Sequence, residues 1–134
     1  MKNRYKIYPE THFGVLKFSP GLKSIEEILE LAEQFRMDKD FHEVHYQITD
    51  LRSCRFGFTS DRIADVIALM DKYKSIDRQK KGIYLVDQPM ETALVSLFFN
   101  AIEHDREFCS TVEKAYNLLP VPIHFEKFEK MVAI

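Results

Sequence analysis

The residues best placed to do chemistry gather behind one strand. Asp50-Leu51-Arg52 closes an alternating strand beginning at Val44, Phe56 and Phe58 follow around Gly57, and Thr59-Ser60-Asp61 opens a helix. A helix start exposes backbone N–H donors and a partial positive charge, so hydroxyls placed there can dock an anion or accept a phosphate. A phosphate on Thr59 or Ser60 would meet a favourable dipole and would act on a partner's surface without melting the helix. The plain alternative is a helix cap worth about 1 kcal/mol. Asp50 and Arg52 stand at the carboxyl end of their strand, where open α/β sheets tend to bind ligands. They could instead form a local ion pair. Together with Phe56 and Phe58 they outline a candidate partner surface.

Other chemistries find less support. His42 and His45 lack a Cys or carboxylate constellation, so no metal is expected. His45, Gln47 and Thr49 share one strand face, which suits either a polar pocket or a half-solvated sheet. Lys72, Lys74, Arg78, Lys80 and Lys81 are interrupted by Asp71 and Asp77 without interleaved aromatics, which reads as a solvated loop and not a nucleic-acid patch. The four glycines, Gly14, Gly21, Gly57 and Gly82, form neither a phosphate-binding loop nor a dinucleotide fingerprint. No nucleophile elbow is present, and Cys109 has no base placed by motif. The expectation is a non-enzymatic protein without a cofactor.

Composition agrees. At 134 residues, 46% hydrophobic and 30% charged, the chain suits a single globular domain. A formal charge of -2 argues against general nucleic-acid binding. No apolar run approaches the roughly 20 residues of a membrane span. The basic start lacks a secretory apolar segment, and Cys54 and Cys109 read as free thiols, so a cytoplasmic location is expected.

The elements that must position these residues alternate. Tyr5–Tyr8 and His12–Ser19 form a hairpin. Ser24-Ile25-Glu26-Glu27 is a capping box that launches a helix with Ile25, Ile28, Leu29, Ala32 and Phe35 on one face. The Val44–Leu51 strand and the helix after Ser60 follow, then a continuous apolar strand over Lys81–Asp87 that suits burial on both faces. Pro89 starts a helix whose stripe is Met90, Ala93, Leu94, Leu97, Phe98 and Ala101, widened by Val95, Phe99 and Ile102. A short strand around Glu107–Cys109 precedes a second capping box, Ser110-Thr111-Val112-Glu113. This order predicts an α/β fold: a mixed, mostly parallel sheet of about five strands, an antiparallel N-terminal edge strand, and about four helices.

With Asp50-Leu51 closing the third strand and a hydroxyl-bearing helix start beyond it, the chain resembles the STAS superfamily over roughly Lys6–Leu119. That group contains anti-sigma-factor antagonists and stand-alone SpoIIAA-like proteins of bacteria. Antagonists carry a strand-ending Asp-Leu, an apolar position, then Asp-Ser-Ser-Gly with a phosphorylated serine. Here Asp50-Leu51 and Phe56 match, while Phe58-Thr59-Ser60-Asp61 replaces the final motif and puts Thr59 at the serine. SpoIIAA-like proteins lacking the motif are more similar. The resemblance implies a bacterial regulatory module that docks a protein partner, such as a kinase or regulatory protein, under control of Thr59 and Ser60.

A second expectation comes from the 90–102 helix. An apolar face wider than its core stripe needs a cover, so Val95, Phe98, Phe99 and Ile102 could line a cavity for a small apolar or lipid-like ligand, or a dimer face. Residues 1–119 then form the domain. Residues 120–134 form a tail whose stripe, Phe125, Phe128, Met131 and Val132, is expected to cover that face in its own chain or across a homodimer.

Overall fold

The computed structural model describes residues 2–77, 80–102 and 105–134; Arg78 of the basic cluster lies outside them. The first half runs β1 (Arg4–Tyr8), β2 (Phe13–Lys17), β3 (Gly21–Lys23), α1 (Ile25–Met37), β4 (Tyr46–Asp50) and β5 (Cys54–Phe56). The second runs α2 (Ile63–Lys72), α3 (Lys74–Asp77), β6 (Lys81–Leu85), α4 (Pro89–Asn100), β7 (Asp105–Cys109), α5 (Val112–Leu118) and α6 (Phe125–Val132).

Five strands make one sheet in the order β1-β2-β4-β6-β7. β1 is antiparallel to β2 and the remaining pairs are parallel, the arrangement predicted for a hairpin followed by strands joined through helices. The tight hairpin turn holds His12 at a left-handed φ of 56°. β3 and β5 pair in a small second sheet that the sequence reading did not contain.

Side chains alternate along each strand and so sort into two layers. Phe13, Val15, Ile48, Ile83 and Leu85 point to one face, under Val112 and Ala115 of α5 and Phe128, Met131 and Val132 of α6. Leu16 points to the other, with Leu31 and Phe35 of α1 and Val95 of α4. α1 sits close here: a Cβ on Gly14 would come within 2.7 Å of the Phe35 ring. The predicted capping box at α1 forms, with the Ser24 hydroxyl accepting from the Glu27 N–H at 3.1 Å and the Glu27 carboxylate accepting from the Ser24 N–H at 3.2 Å. The second box does not form. Thr111 is the cap and accepts from Lys114 N–H, so the third helical position is a lysine, which cannot return the bond.

Two further expectations are corrected. The buried side of α4 is Glu91, Val95 and Phe98, while Met90 and Leu97 are exposed; of the residues that widened the stripe, Val95 belongs to the inner face, Phe99 is half-buried, and Ile102 lies beyond the helix. The tail does not cover Val95, Phe99 and Ile102. It packs on the opposite sheet face, where Phe128 stacks on Phe13 at 5.2 Å and meets Tyr116 edge-on at 5.2 Å. The Tyr8 hydroxyl donates to the Met131 carbonyl and the Tyr116 hydroxyl to the Ile123 carbonyl, so residues 120–134 share the domain's core.

Phe128 is fully buried in that layer. Phe128→Ala should therefore lower stability by about 3–5 kcal/mol, read as a lower urea midpoint at unchanged slope. A midpoint within experimental error of the parent would mean that the tail does not dock in solution.

Candidate functional site

An apolar cavity lies between the second sheet face and helices α1, α2 and α4, with about 70 Å³ open to the centre of a water molecule. Ile25, Ile28, Leu29 and Ala32 reach it from α1 because their spacing keeps them on one helical face. Ile63, Val66 and Met70 of α2 form the opposite wall. Only Met70 in α2 is buried; the rest of that stripe is half-exposed. Val95 and Phe98 close the cavity from α4.

Phe56 and Phe58 also line it. Their rings stack at 4.9 Å and both are half-buried, forming the rim where the cavity meets solvent. Their position is held by Glu91, whose buried carboxylate accepts the Phe56 backbone N–H at 2.8 Å. The cavity thus brings together residues assigned separately from sequence, Phe56 and Phe58 from the partner surface and Val95 and Phe98 from the apolar face. Phe99 and Ile102 stay outside its lining. Phe99 packs instead on Tyr84 at 5.1 Å and Phe108 at 5.9 Å.

The floor is polar. Gln47 and Thr49 of β4 line the cavity at 2% and 6% exposure, and the Gln47 Oε1 has no hydrogen-bond partner. Of the two uses for this strand face, the pocket describes Gln47 and Thr49. His45 lies at its end and stacks on His12 at 4.3 Å. Arg36 also lines the cavity, donating to the Ala32 carbonyl and to the Met70 Sδ. Arg36, Ala32 and Glu91 were missed from sequence. Ala32 was assigned only to a helix stripe, and Glu91 had no signal beyond acidity in a first helical turn.

Thr59 and Ser60 sit beside the rim and are exposed. A single 3-10 turn, Ser60–Arg62, intervenes before α2, so the α-helix starts later than the motif suggests. The Thr59 hydroxyl donates to the Asp61 carboxylate, and neither hydroxyl caps α2.

Asp50 lies beneath the surface at 2% exposure, which corrects its place on a partner surface. Lys17 Nζ donates to it at 3.1 Å, and Arg52 donates through its backbone N–H and twice through its guanidinium. Burial pushes the Asp50 carboxyl up, but the Arg52 hydrogen bonds and charge, helped by Lys17, outweigh it and hold the group below the usual carboxylate range. Ser53, at a φ of 63°, donates its N–H to Asp87 beside this pair.

Cys54 is buried and its thiol is pushed up to about 11, mainly by desolvation, which leaves it a poor nucleophile. Among the described residues no group of three or more His, Cys, Asp or Glu is placed to hold a metal, and no helix is long and apolar enough to cross a membrane. Compared with the profiles of known families and with characterised proteins, the sequence matches none.

The Asp50 network carries a pH signature. A carboxyl held low when folded adds stability above its unfolded value, about 3.9, and that stability is lost as pH falls through the lower folded value. Asp50→Asn should cost about 1–3 kcal/mol at neutral pH. The gap to the parent should close below about pH 4. Urea melts of both proteins from pH 2 to 7 test this, and a gap independent of pH would refute it.

Proposed function

We propose that this chain is a non-enzymatic binding module that carries or senses a small apolar ligand in the cavity under α2. One observation carries this reading: apolar side chains from three helices converge on a single recess whose aromatic rim, Phe56 and Phe58, reaches solvent. Recesses that are concave, mostly apolar and fitted with a few polar groups are the usual form of small-molecule sites. The volume of about 70 Å³ is modest. An engineered apolar cavity that holds benzene measures roughly 150 Å³. A ligand longer than a few carbons therefore needs one wall to yield. α2, which buries only Met70, loses least by moving outward.

A second reading rests on the rim. Thr59 and Ser60 are exposed directly after the half-buried Phe56–Phe58 stack, where the resemblance to anti-sigma-factor antagonists puts a protein partner. The two readings combine as a regulatory module in which occupancy of the recess alters the rim offered to that partner. The free thiols of Cys54 and Cys109 suit a reducing, cytoplasmic setting.

Ala32→Phe would fill the recess from α1. Native mass spectrometry of the protein as purified should show a bound small molecule, or saturation-transfer NMR should show 1-fluorohexane binding. Ala32→Phe should weaken that binding at least about tenfold, since its ring takes the ligand's space. A parent protein that arrives empty and binds neither 1-fluorohexane nor 1-hexanol would overturn the ligand reading.

A further inference from the structure

Within the cavity reading, on which this inference rests, the floor says what kind of ligand fits. Gln47 belongs to β4 at the middle of the sheet, and its register partners are Gly14 on β2 and Gly82 on β6. Neither adjoining strand therefore offers its amide a cross-strand side chain. The space above Gly14 is taken by the apolar Phe35 ring, and Arg106 lies across Gly82 while donating to the Lys80 carbonyl. Gln47 lines the recess, and its Oε1 is buried without a hydrogen-bond partner.

A buried acceptor without a partner is unfavourable, and a bound group that donates to it removes the penalty. We infer that the recess takes an apolar molecule bearing a hydroxyl, the hydroxyl seated on Gln47 and the hydrocarbon running toward Phe56 and Phe58. A hydroxyl suits Gln47 in either orientation of the amide, since it both donates and accepts. A plain hydrocarbon would leave the amide as it is.

The matched probes are 1-hexanol and 1-fluorohexane, alike in length and differing in the donor. By saturation-transfer NMR the parent should prefer 1-hexanol by about tenfold or more, as expected where a buried polar group is otherwise left unpaired. Gln47→Met should abolish the preference by weakening 1-hexanol alone. In the parent, 1-hexanol should also shift the Gln47 side-chain amide resonances, a readout that stands even if the variant fails to fold. Equal binding of both probes with an unmoved Gln47 amide would overturn the hydroxyl inference and leave the cavity reading intact. Binding of neither probe by a protein that arrives empty would overturn both.

Discussion

The structure depends on burying β4 on both faces at once. It is flanked by parallel β2 and β6, with helices over each side, so every residue along it answers to one of two environments. Ile48 enters a layer filled by the C-terminal helices, where Phe128, Met131 and Val132 complete the packing. One residue either way, Gln47 and Thr49 enter a layer spanned by α1, α2 and α4 that leaves a recess. A slip of one position would drive the amide into the dense layer and the isoleucine into the recess. The alternation of one short strand thus divides structural support from candidate function.

Much of the fold was legible because its signals are local. Pro9 and the polar turn announce the hairpin, Ser24 and Glu27 announce α1, and the run from Gly82 to Val86 announces a doubly covered strand. Its mixed five-stranded sheet follows from those elements and the rules for connecting them. The β3–β5 pairing was not legible, because three-residue strands carry too little pattern to separate from loop. α4 misled because its polar positions are a weak guide: Thr92, Ser96 and Asn100 are small and uncharged and Glu91 is the helix's one charge, so apolar periodicity could not choose between Met90 and Val95. The deciding residue was Glu91, a charge drawn inward by a backbone N–H far away in sequence.

The site was legible only in pieces. Phe56 and Phe58 stood out as aromatics in a loop, Val95 and Phe98 as surplus apolar residues, and Gln47 as a polar member of a strand face. Nothing in their spacing says that they meet, because the meeting depends on how α1 and α4 lean on the sheet. Asp50 shows the converse. Its motif position suggested an interaction surface, yet Lys17 and Arg52 take up its carboxylate and draw it inside.

The bond from the Phe56 amide to Glu91 separates two properties of the rim that could have been tied together. Its donor is main chain, present whichever side chain occupies the position, proline excepted. The height of the loop over the recess is therefore set by α4, whereas the shape of its edge is set by the rings at Phe56 and Phe58. Those rings can be exchanged for other bulky or small groups while the loop keeps its anchor. Diversification of what the rim admits can proceed without rebuilding the frame that holds it, and an engineer could retune the opening by the same route.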